Sequence, residues 1–432
     1  MTRRRTVLEA STAALLWLAG CGGRGSDSTP TSESRSASAT DIPSGPYWYT
    51  HPQPTGNRFI SGAADLRNTE PVRLAVDGRP VWLVAHPAPE GSYWTVVTAE
   101  GTATRLQVYD GSISNETRLH QQVPERQPVV TDGDTEPELL DHPSIMSQYA
   151  GQMVAPGEGM SRRLFVAANG DFVVDGDDRS RLAIDAPTDV RPAAIGDGTY
   201  VVYGDVTDRY GHGALGDTLE PSSLVVVDPT AAEVVARTVL DAPLVFEGLQ
   251  PLVADLDGDG EPEIVTTIAD SENGARIAVY SPAGEQIATG PVYGPGWRHQ
   301  LAVAPFGPDG TSELAAVLKP HVTHTLEYYR LEDGDLSVRA TVDGVSSHTY
   351  GSRNLDGAVA ADLDTDGTVE LLVPTTDRRR LVALSRTASD ARIQWEWELG
   401  APLTSNLTGV GLDDGGVAVG AATAEDVFVW SA

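Results

Sequence analysis

The sequence predicts an all-β fold built from repeated sheets, and three observations predict it. Apolar residues come in short runs rich in Val, Ile, Leu, Thr and Tyr, with little sustained helical period. Glycine (44) and proline (29) are frequent enough to punctuate those runs with turns. A strand–acidic loop–strand unit also recurs at a period of about 50–60 residues, the range of repeat architectures in which each unit is too small to bury a core alone.

The first 21 residues read as an export segment. Arg3-Arg4-Arg5 precedes a short apolar run through Leu15, Leu16, Trp17 and Leu18, too short to span a bilayer as a stable helix. Arg4-Arg5-Thr6-Val7-Leu8 resembles the twin-arginine signal of proteins exported already folded, departing from its commonest form at Val7 and Glu9. Leu18-Ala19-Gly20-Cys21 resembles a lipobox, which implies cleavage before Cys21 and a lipid on its thiol. Cys21 is the one cysteine of the chain, so no intramolecular disulfide is available to it. Residues 22–45 are rich in Ser, Thr and Gly without apolar periodicity, the composition of a disordered, flexible stalk.

From residue 46 to 432 the repeat takes over. Its units are expected around Val81–Tyr109, Val129–Leu139, Ala193–Val202, Leu252–Tyr280, Leu301–Ala316, Val359–Leu384 and Val410–Trp430. Seven four-stranded units around an axis make a seven-bladed β-propeller; six to eight blades accommodate a degenerate copy split or missed. The last unit runs out of strand at Val427–Trp430, so its outer strand is expected from residues between 58 and 77, closing the ring and removing an exposed edge.

Two copies carry a complete acidic loop. Asp255, Asp257 and Asp259 alternate, then Gly260 and Glu263 follow; Asp362, Asp364, Asp366, Gly367 and Glu370 repeat the spacing. Alternate carboxylates on a turning loop converge, glycine permits the bend, and a hard oxygen shell suits Ca²⁺. The carbonyls of Glu261 and Thr368 are expected to add an oxygen each. These loops resemble the FG-GAP (VCBS-type) repeats of integrin α-chain propellers, a resemblance covering roughly residues 58–432 in layout. It implies calcium between the first two strands of a blade, about two sites in all. Other copies depart at the first ligand position, where His86, Val130 and Pro305 stand, and are expected to hold metal weakly or not at all.

In that family partners dock on the face opposite the calcium loops. Mapped onto this sequence, the opposite face gathers Trp297, Arg298, His299, Lys319, His321, His324, His348, Tyr350 and Arg353 as candidate ligand contacts. The only lysine and five of the nine histidines, the four just named and His212 in the stretch 206–221, fall in the loops of that face, a basic and aromatic funnel on a molecule of net charge −31. Such a funnel suits an anionic glycan, a peptide carboxylate or a cell-wall polymer. The acidic remainder excludes a nucleic-acid partner and fits a halophilic, salt-adapted source.

The expectation is therefore a surface-anchored lipoprotein on the outer face of the membrane, monomeric, binding calcium and an extracellular glycan or protein. No nucleophile elbow, His-Glu-x-x-His or phosphate loop occurs in the sequence. A carbohydrate-active enzyme of polysaccharide-lyase type and a purely structural envelope protein stand as alternatives.

Overall fold

A computed structural model describes residues 47–50, 57–123, 126–131, 136–155 and 162–432. The export segment, Cys21, the linker, and Asp132 and Asp134 of the second expected unit lie outside the described residues. Strands of two to ten residues build the described part, which contains no helix. They form eight sheets rather than seven.

Numbered along the ring, blade 1 spans residues 80–118. Blade 2 is small: Tyr47–Trp48, Val130–Thr131 and Glu138–Leu139. Blade 3 covers 152–183, blade 4 covers 193–239 and blade 5 covers 245–289. Blade 6 covers 298–343 and blade 7 covers 359–398. Blade 8 comprises the strands between 408 and 431, with Val72–Ala75 as its outermost strand. That outermost strand falls within the range expected to close the ring; Val72 faces Val429 and Ala75 faces Asp426.

Blade 3 is the unit absent from the sequence count. Its second to fourth strands are joined by short turns at Asn169-Gly170 and Asp177-Asp178. Residues 156–161, between its first two strands, lie outside the described residues and hold a single acidic residue in sequence, Glu158.

The core is a belt of seams between blades rather than one central mass. Trp397 of blade 7 stacks on Trp430 of blade 8 with centroids 4.1 Å apart and planes 3° from parallel. Between blades 8 and 1, Trp94 lies flat against Gly420, where an added Cβ would sit 2.2 Å from its ring. Flat pleated faces of Val, Leu and Ala meet aromatic rings in this way because large and small residues must alternate across a seam to reach interior packing density.

The N-terminal segment also fills the axis. Phe59–Ala63 pairs parallel with Val359–Asp362, adding a fifth strand inside blade 7. Arg58 donates to Asp356 at 3.1 Å, and Thr50 Oγ1 donates to the same carboxylate at 2.7 Å. A cavity of about 30 Å³ remains between Arg58, Arg191, His299, Gln300 and Asp356, space for little more than one water.

Candidate functional site

Antiparallel pairing sends successive hairpins of a blade to opposite faces of the ring. The loops between first and second strands, 255–262 and 363–369, therefore share one face, and the loops between second and third strands share the other.

On the first face, the loop carboxylates of Asp255, Asp257 and Asp259 bring one oxygen each within 4.8 Å of one another. Asp362, Asp364 and Glu370 do the same in blade 7. An ion about 2.4 Å from each oxygen fits triplets of that spread. The loops are wound by their own side chains: Gly258 N and Gly260 N donate to Asp255 at 2.8 and 3.1 Å, and Glu261 N donates to Asp259 at 2.8 Å. In blade 7, Gly367 N donates to Asp362 at 3.1 Å, and Thr368 donates to Asp366 through both N (2.8 Å) and Oγ1 (2.6 Å).

The closing glutamates hold the inner end of each loop. Glu263 accepts from Leu256 N at 2.7 Å and Glu370 from Leu363 N at 2.9 Å. Burial, reinforced by the neighbouring aspartates, pushes Glu263 up to about 7 and Glu370 up to about 8. Their carboxylates are crowded and short of positive charge.

Blade 6 shows how the same frame looks when that shortage is met within the chain. Pro305, Gly307, Asp309 and Glu313 occupy the ligand positions. Arg386 donates to Glu313 at 2.7 Å, and Arg330 lies 3.0 Å from Glu313 and 3.2 Å from Asp309. Two guanidiniums stand where a cation would. The blade 7 loop has one partial counterpart, Arg67, whose Nη1 lies 3.4 Å from Asp364 while its other nitrogens hold Asp65 at 3.0 Å.

On the opposite face, the nine sequence-nominated residues divide. Arg298 is corrected: it is wholly buried at the start of blade 6, its Nε 3.1 Å from Tyr329 Oη and 3.4 Å from Glu327, with Nη1 donating to Ala275 O. Its place after the Gly-Pro-Gly-Trp turn looked like loop, but strand pairing begins at that residue. Trp297 and His299 are also buried and wall the axial cavity instead of an open surface. Arg353 is half-buried, donating to Asp189 at 2.8 Å and Asp217 at 2.6 Å with its guanidinium 4.3 Å over Tyr149. Lys319 Nζ donates to Tyr293 O at 3.2 Å. His321, His324 and Tyr350 reach solvent, Tyr350 most openly.

Trp297, His299, His321 and His348 do come together. Trp297 stacks on His299 at 4.6 Å, and His348 stands edge-on to both. Burial, then His321, Arg378 and His212, holds His348 well below the usual histidine range.

Beside this cluster opens a cleft of about 630 Å³ lined by Arg79, Trp82, Tyr149, Tyr350, Arg353 and Arg378, among others. Arg79, Trp82 and Tyr149 were not nominated from sequence. They come from blade 1 and the connection into blade 3, over 200 residues from Tyr350, and local pattern carries no signal of that meeting. His212, one of the histidines that the sequence places in the loops of this face, has its Nδ1 2.7 Å from the buried Glu247.

No protein-family model matches the sequence, and no curated protein matches it. Solved structures do resemble it. Quinohemoprotein alcohol dehydrogenase from Comamonas testosteroni aligns at 11% identity over 89% of this chain and 80% of its own, with a TM-score of 0.54. BamB from Moraxella catarrhalis aligns at 12% over 84% and 99%, TM-score 0.49, and the Cps50 (Swd1) propeller domain from Myceliophteria thermophila at 10% over 83% and 97%, TM-score 0.43. At these identities only the β-propeller architecture is shared ground.

Proposed function

We propose that this chain is a calcium-stabilised propeller that binds an anionic glycan outside the cell, held at the membrane by a lipid on Cys21. The observation that carries the binding reading is the cleft on the face away from the acidic loops. It joins the exposed ring of Tyr350, a flat surface for a sugar ring, to Arg79, with Arg353 and Arg378 in its wall, held by Asp189 and Asp217 and by the Leu403 carbonyl respectively. Aromatic faces with a few placed cations are the usual equipment for gripping a sugar acid.

Calcium enters on a separate argument. The blade 6 frame contains its own guanidiniums at Glu313, whereas the frames of Glu263 and Glu370 hold crowded carboxylates that a divalent ion would relieve. Asp255, Asp257, Asp259 and Glu263 would hold one ion, and Asp362, Asp364, Asp366 and Glu370 the second. Their role is to stiffen the ring from the far face.

The test is capture of the full chain on immobilised polyuronic and neutral polysaccharides. The reading expects binding to the acidic polymers that falls at least tenfold in Tyr350→Ala and in Arg79→Glu. Equal retention on neutral polymers, or undiminished capture by both variants, would remove the cleft from the account.

A further inference from the structure

The geometry points to a transition-metal site formed by His321 and His348 at the rim of that face, distinct from the acidic loops. His321 lies in the loop between the second and third strands of blade 6, and His348 in the connection from blade 6 to blade 7. Their Nε2 atoms stand 3.0 Å apart, with ring centroids 4.5 Å apart and planes 79° from parallel. His324 is the histidine nearest to His321 in sequence, but it is the ring of His348 that faces His321 in the fold.

Two imidazole nitrogens facing each other at this distance either share one proton or share a cation. With metal–nitrogen bonds of about 2.0–2.1 Å, neighbouring nitrogens are about 3.3 Å apart in a tetrahedral shell and about 2.9 Å apart at right angles. The observed separation lies closer to the right-angled arrangement, which Cu²⁺ and Ni²⁺ favour.

The surroundings suit a ligand pair. Ser347 Oγ is 3.0 Å from His348 Nδ1, the second-layer contact that fixes an imidazole's orientation and frees its other nitrogen for a metal. His348 is buried under Trp297 and His299, so its ring is held in place. His321 is partly exposed, and Tyr350 stands 5.2 Å from its ring on the solvent side. That leaves coordination positions toward solvent for water or a bound anion. Nitrogen donors set this site apart from calcium, which takes oxygen. The inference does not depend on the cleft binding a glycan.

Untagged full-length protein in excess Ca²⁺, which keeps the acidic loops occupied with their preferred ion, would be titrated with Cu²⁺ and followed by calorimetry and electron paramagnetic resonance. One equivalent should bind with hyperfine splitting from two nitrogens, and Zn²⁺ should compete more strongly than Mn²⁺. His321→Ala, on a partly exposed loop and checked for native circular dichroism, should weaken binding at least tenfold and remove the two-nitrogen signature; His324→Ala should leave both intact. Absence of Cu²⁺ binding, or a spectrum and affinity unchanged in His321→Ala, would show that the two rings share only a proton.

Discussion

Gly420 is the residue on which the seam between blades 8 and 1 turns. A Cβ there would stand 2.2 Å from the Trp94 ring, and Trp94 is fully buried with nowhere to move. Gly420→Ala is expected to cost about 1–3 kcal/mol, the range for overpacking a tight core; an unchanged denaturation midpoint would mean that the seam is slack. A second residue-scale prediction concerns pH. Burial, with Arg126 and Arg163 adding to it against the Gln127 carbonyl and Asp141, pushes His142 down to about 4. The folded state then stays neutral where the unfolded chain takes a proton, below about 6.5. The unfolded state binds more protons between those values, so stability falls as pH falls through that window. His142→Gln should flatten this slope in melts from pH 7 to 4; an identical slope would place the acid sensitivity elsewhere. Legibility at this scale was uneven. The alternating aspartates announce themselves because their meaning is local. Arg298 does not, because its partners Tyr329 and Glu327 sit on another strand.

Among elements, the two acidic loops look interchangeable in sequence but differ in the fold. The segment leading from the axis to the outer strand of blade 8 carries Arg67 past the blade 7 loop, within 3.4 Å of Asp364. A guanidinium there would compete with a bound metal for the same carboxylate. Arg67→Ala should tighten Ca²⁺ binding at the blade 7 loop several-fold and leave the blade 5 loop unchanged, measured by calorimetry in an Asp257→Asn background and its Asp364→Asn counterpart. A loss of affinity would show that Arg67 supports the loop rather than competing for it. The closing strand at 72–75 was legible, since an unfinished last unit demands a donor. The parallel strand at 59–63 and the blade at 152–183 were not. The first makes its pairing nearly 300 residues away, and the second lacks the acidic turn by which the other units were recognised.

For the whole molecule, the net charge is −31, most of its acidic excess falling in the propeller, whose closed ring cannot relax by opening. Self-repulsion should therefore be a large term at low ionic strength and fade as the screening length shrinks from about 30 Å at 0.01 M to about 3 Å at 1 M. The melting temperature is expected to climb by several degrees across that range of KCl; indifference to salt would argue that the surface arginines already balance the field. The ring architecture was readable because it is periodic, while the cleft was not, because it joins residues that only closure brings together.

The proposed calcium links these scales, since its ligands would be single carboxylates, its loops belong to two blades and its effect would be on the ring. The most direct test is the melting temperature of the full chain in millimolar Ca²⁺ against EGTA, for the native sequence and for Asp257→Asn/Asp364→Asn. An ion bound at a hundredfold above its dissociation constant adds about 2.7 kcal/mol per site. The native chain should thus melt several degrees higher with Ca²⁺, with little response to Mg²⁺ and most of the gain lost in the double variant. Equal melting with Ca²⁺ and with EGTA would contradict the account.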